Sequence, residues 1–375
     1  MSPKVKSYLL HSSLFIVTFI TTTLAGAEWT YGKSVFMPDY TWADFVSGLP
    51  YSICFLTILT CHEFGHYFTA IYYRIKTTLP YYIPLPPLPL FLGTLGALIR
   101  IKERITSNKQ QFDVGIAGPL AGFVVAIVFL IYGFVTLPPP EHIFQFHPEY
   151  RQYGLDYASH VYQVVPPGTI DVLIGKNMLF VFLEKLFADP VRMPNPHEIM
   201  HYPFLFAGFL SLVFTCANLL PIGQLDGGHV LYGMVGYRRH RIAATGIYFA
   251  LLFYTGLGFI DVHVSFDPWI PVYVYLLYMA MRSLFEKKRD RIMYALAIFT
   301  VQYSIGWLSP SIHGYSPWFW FIILIGVIVG VPHPQSEIEQ PLNLNRKILG
   351  WLALAIFILC LTPEPIVIQA ATATP

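Results

Sequence analysis

The chain has 375 residues, of which 55 % are hydrophobic and only 12 % charged, and its mean hydropathy is +0.54. Soluble domains carry about a quarter charged residues, so the composition excludes an ordinary water-soluble globule and makes the lipid bilayer the expected solvent. The net charge of +2 is spread over the ends of apolar runs and forms no basic stripe, which excludes a nucleic-acid partner.

In chain order, apolar runs long enough to cross a hydrocarbon core as helices fall near residues 7–26, 49–71, 113–136, 203–220, 241–260, 269–285, 292–308, 316–331 and 347–362. They predict an all-α polytopic membrane protein with about nine transmembrane helices. The first run follows Lys4 and Lys6 and lacks a clear small-residue cleavage site, so it is expected to persist as an uncleaved span. Lys and Arg collect on alternate connections, which predicts a cytoplasmic N-terminus and cytoplasmic basic loops.

The second run, SICFLTILTCHEFGHYFTAIYY, contains H-E-x-x-H at His62, Glu63 and His66. At helical spacing i and i+4 the two imidazoles share a face and can hold one zinc ion, with Glu63 beside them as candidate general base. The competing reading makes the three residues packed polar groups. Ionisable side chains at membrane depth are costly, which favours the chemical role.

Next come Pro80, Pro84, Pro86, Pro87 and Pro89, which forbid a regular helix and favour extended backbone, either as a working segment or as a connecting loop. In the third run, Gly118, Ala121 and Gly122 read as small residues for close helix packing. The connection 137–202 begins at Pro138–Pro140 and contains the amphipathic stretch MLFVFLEKLF, which suits a membrane interface. It is the expected place for any external screening of substrates.

Two histidines do not complete a catalytic zinc site, which takes three protein ligands and keeps a position for water. The fourth run ends in CANLLPIGQLDGGH, where Pro221, Gly223, Gly227 and Gly228 break the helix. Irregular backbone at membrane depth is tolerated where it lines a cavity or is buried in protein, and Asp226 there is the leading third ligand. Under the charge-derived topology the second and fourth spans run the same way, bringing His62, His66 and Asp226 to one cytoplasmic-side depth. His229 would close the position needed for water and reads as support or packing. His333 and the scattered loop histidines read as structural. Cys54, Cys61, Cys216 and Cys360 are expected to be thiols.

The pair HEFGH and NLLPIGQLDGGH resembles the site-2 protease family of intramembrane zinc metalloproteases, and Gly93-Thr94-Leu95-Gly96-Ala97 and Gly118-Pro119-Leu120-Ala121-Gly122 extend the likeness over about residues 47–235. The resemblance implies one Zn²⁺ on His62, His66 and Asp226, a catalytic Glu63, and Asn218 touching the substrate backbone or oxyanion. It makes Gly93, Thr94 and Gly96 further substrate or oxyanion candidates, and it implies a membrane-associated β-hairpin after the second span.

The implied activity is a metalloendopeptidase cutting within or near the transmembrane segment of single-span membrane proteins, as in regulated intramembrane proteolysis. A substrate helix hides its carbonyls in internal hydrogen bonds and must first unwind, and a strand edge could hold it by β-augmentation. A catalytically silent scaffold or chaperone and a metal transporter are the alternatives; the latter would need paired interrupted helices, which are not found. The expected division is an extra span and external loop over 1–46, the metalloprotease core over 47–235, and additional spans over 236–375. Compact loops and the absence of a transit peptide suit a bacterial inner membrane.

Overall fold

The computed structural model describes residues 2–88, 90–162, 170–260 and 268–370, so Pro89 of the proline-rich stretch lies outside the described residues. The chain divides into two compact units: Met1–Arg104, Ala117–Ala217 and Ala355–Pro375 form the first, and Ile105–Ile116 and Asn218–Leu354 the second.

The first unit opens with α1 (Pro3–Tyr31), capped by Ser2 and ended by Gly32 in the left-handed region. A capping box between Thr41 and Asp44 starts the short α2 (Trp42–Ser47). Helix α3 (Leu49–Tyr72) then returns along α1. The two helices approach through small residues, since a Cβ on Gly48 would lie 1.9 Å from the Thr23 carbonyl oxygen. A hydrogen bond of 2.6 Å between the buried Thr22 and Ser52 hydroxyls satisfies both polar groups in that seam.

Strands β1 (Tyr81–Pro84) and β2 (Thr94–Leu98) form an antiparallel pair with an irregularity between Tyr82 and Pro84. Proline cannot donate to a ladder, so the register shifts where Pro84 enters. The hairpin is tied to α1 and α3: Thr21 Oγ1 donates to the Gly93 carbonyl at 2.7 Å, Trp29 Nε1 to that of Phe91 at 3.0 Å, and Tyr51 Oη to that of Leu92 at 3.3 Å.

Helix α4 (Asn108–Val135) leads to a connection containing 3-10 turns at Pro140–Gln145 and Pro148–Asp156, the short α5 (Ala158–Val161), β3 (Ile170–Ile174) and α6 (Met178–Phe187). The amphipathic stretch is thus a helix, its N-terminus capped by Asn177 Oδ1 accepting from Phe180 N at 2.9 Å. After a 3-10 turn at Ile199–His201 comes α7 (Pro203–Asn218), which is buried over most of its length. Near the other end of the sequence, β4 (Ile366–Ala370) pairs antiparallel with β3, from Ile170 opposite Ala370 to Ile174 opposite Ile366.

The second unit contains α8 (Asp226–Val235), α9 (Tyr237–Gly256), α10 (Trp269–Ala280), α11 (Lys288–Leu308) and α12 (Pro317–Leu324), together with most of α13 (Leu344–Cys360). Its interior holds large aromatics whose polar tips are paired. Tyr248 Oη donates to the Ala280 carbonyl at 3.0 Å, and Tyr273 Oη to Gln302 Oε1 at 2.6 Å. Arg346, at the start of α13, grips Asp113 of α4 with both Nε and a terminal nitrogen at 2.7 and 2.6 Å.

The expectation of an all-α protein with about nine transmembrane helices is corrected. Among the described residues only two helices are long and apolar enough to cross a membrane, Lys4–Tyr31 and Asn108–Val135. The fold also contains two small sheets. The runs at 203–220, 269–285, 316–331 and 347–362 become helices or helix pieces that stop short, such as the 16-residue α7, 12-residue α10 and 17-residue α13. Others are helices of sufficient length with polar content: α3 carries His62, Glu63 and His66, α9 begins Tyr-Arg-Arg-His-Arg, and α11 begins Lys-Arg-Asp-Arg. With two such helices in place of nine, alternating basic loops no longer determine an orientation. Helix α4 does present the exposed apolar row Val124, Val128, Tyr132 and Val135, at the i, i+3 and i, i+4 spacings of one face, which suits contact with lipid chains.

Candidate metal centre

The chemistry-bearing motif lies within α3, where helical spacing stacks positions 62 and 66. His62 Nε2 and His66 Nε2 are 3.1 Å apart, their rings meeting edge to face at 75°. Two nitrogens bound to one tetrahedral zinc at ordinary Zn–N lengths lie about 3.3 Å apart. The observed pair therefore fits a shared divalent cation, and the donor set, two imidazoles beside a carboxylate, is of the kind zinc takes. His62, Glu63 and His66 are all buried.

Space for the imidazoles is made by α4. A Cβ on Gly118 would lie 2.1 Å from His66 Nε2, and one on Gly122 would lie 3.0 Å from His62 Cβ. From the other side, a Cβ on Gly65 would lie 2.5 Å from the Ala117 carbonyl oxygen. The small residues read from sequence as packing positions do allow a close approach of helices, and what they admit is the pair of imidazole rings. The motif therefore rests against the middle of a helix long and apolar enough to cross a membrane.

Thr94 is buried in β2, its single hydroxyl hydrogen having the carbonyls of Ile83 at 2.8 Å and Gly96 at 3.1 Å as alternative acceptors, while its oxygen accepts from Gly96 N at 3.0 Å. Gly93 has φ of +80° and is pressed on α1, where a Cβ would lie 2.5 Å from the Thr21 carbonyl oxygen. Gly96, also at positive φ, has nothing within 4 Å of a Cβ position.

Asn218 and Asp226 belong to the second unit. Asn218 is the last residue of α7, residues 219–225 are non-helical, and Asp226 is the first residue of α8. Gly223, at φ +56°, reverses the chain, and at Gly227 a Cβ would lie 1.9 Å from the Leu219 carbonyl oxygen. Only glycine permits α8 to fold back so tightly on its own approach. A carboxylate at a helix N-terminus also meets the positive end of the helix dipole, a favourable placement for its charge. His229 Nδ1 lies 2.8 Å from His333 Nε2, a pairing inside the second unit.

Residues 50–260, more than half of the chain, match peptidase family M50. A rice protein (Oryza sativa subsp. japonica) named as a probable chloroplastic zinc metalloprotease, EGY1, is 30 % identical over 196 residues, which is 51 % of this chain and 28 % of the relative. EGY1 of Arabidopsis thaliana is 26 % identical over 197 residues, covering 52 % of this chain and 31 % of its own. Arabidopsis EGY3, named a probable zinc metallopeptidase, is 24 % identical over 271 residues, 70 % of this chain and 41 % of its own. The chain thus spans well under half the length of these relatives. No solved structure matches it. With the H-E-x-x-H helix and the Leu-Asp-Gly turn both inside the matched region, the chain belongs to peptidase family M50, the site-2 protease family.

Proposed function

We propose that the protein is a zinc metalloendopeptidase that cuts membrane-protein substrates within or near a transmembrane segment, using a core at residues 47–235. The observation that carries this reading is the buried pair of imidazole nitrogens 3.1 Å apart, with Glu63 on the same helix. Asp226 is assigned as the third ligand on the chemistry of its Leu-Asp-Gly turn and the family's two-motif pattern. Bound zinc would supply Lewis acidity toward the scissile carbonyl and acidify a water molecule. Glu63 takes the water's proton and delivers it to the leaving amine. Asp226 offsets cationic charge in a poorly solvated setting, where an unpaired cation would be very costly.

Asn218, at the helix end before the turn, is assigned to bind the substrate backbone or the developing oxyanion. Strand β2 pairs with β1 along one edge, so its other edge can hold an unwound substrate segment as an added strand, with Gly93, Thr94 and Gly96 shaping that edge. Single-span proteins are the substrates this arrangement suits. We place the protein in a bacterial inner membrane with the Lys4 and Lys6 end of α1 on the cytoplasmic side, supported by compact loops and the positive-inside tendency; the relatives above are named as chloroplastic.

The test is Glu63→Gln in reconstituted protein with a single-span substrate. Zinc content stays at the wild-type level while cleavage falls by about 10²–10⁴-fold, the usual contribution of a positioned general base. Cleavage at the wild-type rate would refute the assignment of Glu63.

A further inference from the structure

A second group of metal-ligating side chains lies in the connection between α4 and α7, outside the H-E-x-x-H centre. His147, Glu198 and His201 bring one ligand atom each into a single cluster. Glu198 Oε2 is 3.4 Å from His147 Nε2 and 3.3 Å from His201 Nε2, and the two nitrogens are 3.3 Å from each other. Glu198 and His201 are buried and His147 is half-buried.

Every other polar atom of these three side chains is engaged away from the cluster. His147 Nδ1 donates to Glu149 Oε1 at 3.1 Å, and His201 Nδ1 donates to the carbonyl oxygen of Thr30, the penultimate residue of α1, at 2.5 Å. Glu198 Oε1 accepts the Tyr162 hydroxyl. An imidazole whose Nδ1 carries the hydrogen has its lone pair on Nε2. Two such lone pairs and a carboxylate oxygen face each other, an arrangement that either a proton on one imidazole or a shared metal cation relieves.

We propose that His147, Glu198 and His201 form a second divalent-metal site, selective for a zinc-type ion. The spacing agrees with this, because ligand atoms on one tetrahedral zinc lie about 3.3–3.4 Å apart. Imidazole nitrogens disfavour calcium and magnesium, which take oxygen ligands. The Nδ1 contacts are the outer hydrogen bonds that orient metal-bound histidines, one to a carboxylate and one to a backbone carbonyl. Because Thr30 ends one of those contacts, the metal fastens the α4–α7 connection to the C-terminal end of α1. Three protein ligands leave a fourth position on the metal for water, and the role we assign is to hold the connection in place.

The test measures zinc content of the full-length protein after equilibration in a zinc buffer, with circular dichroism as the check on folding. Wild type holds two equivalents, His147→Ala and the isosteric Glu198→Gln each hold one, and the double variant His62→Ala/His66→Ala also holds one. In that double variant, cobalt substitution gives the visible absorption of a four-coordinate site, and adding His147→Ala abolishes it. A double variant that binds no metal, or a His147→Ala protein that keeps the wild-type content, overturns the proposal. Loss of the motif zinc alone leaves the second site intact, so failure of the protease reading is distinguishable from failure of this one.

Discussion

Gly118 shows how a single absent side chain serves the centre. The space a Cβ would take lies 2.1 Å from His66 Nε2, far inside van der Waals contact, so any side chain there drives the imidazole off its position. Gly118→Ala is expected to weaken zinc binding at least about tenfold, because metal affinity depends on ligand placement to within a fraction of an ångström. Competition with a chromogenic chelator checks it, and an unchanged affinity would show that His66 binds from another rotamer. The histidine pair itself was legible from spacing, since helix periodicity is local and requires nothing beyond residues 62–66. That the glycines of α4 face these rings was not, because residues 118 and 122 are distant in sequence and their partner is set by how α3 and α4 meet.

At the scale of elements, two broken segments behave differently. The Asn218–Asp226 break was readable from Pro221 and the glycines, as the chain there has no alternative to leaving the helix. The hairpin over 81–98 was expected only through the family likeness, its prolines alone admitting a plain loop equally well. What holds it is tertiary: α1 supplies the Thr21 and Trp29 donors, and Gly93 sits directly on the α1 backbone. Gly93→Ala therefore meets a double obstacle, positive φ and a Cβ 2.5 Å from Thr21 O, and is expected to lower stability by about 1–3 kcal/mol or more. Thermal unfolding in detergent measures this, and a melting temperature equal to wild type would show that the hairpin can lift from α1 without loss.

For the whole molecule, the correction from about nine spans to two candidates among the described residues reflects a difference between composition and helix length. Apolar runs record composition, whereas a span also requires one uninterrupted helix, and Gly, Pro and charged residues divide several of these runs. The exposed apolar face of α4 still needs a non-aqueous neighbour. Membranes carrying the protein are expected to retain it through alkaline carbonate extraction, and a cysteine at position 6 is expected to be labelled from the cytoplasmic side. Release of the protein into the carbonate supernatant would contradict membrane insertion.

By itself the sequence determined the zinc motif, the broken helix at Asp226 and the family, because each depends on a few neighbouring residues and on rules of helix spacing and backbone freedom. The tertiary structure decided which helices remain long and apolar enough to span, the pairing of β3 with β4 across nearly two hundred residues, and the meeting of His147 with Glu198 and His201. Those outcomes depend on contacts between distant segments, and no local pattern of side chains encodes which distant segment will arrive.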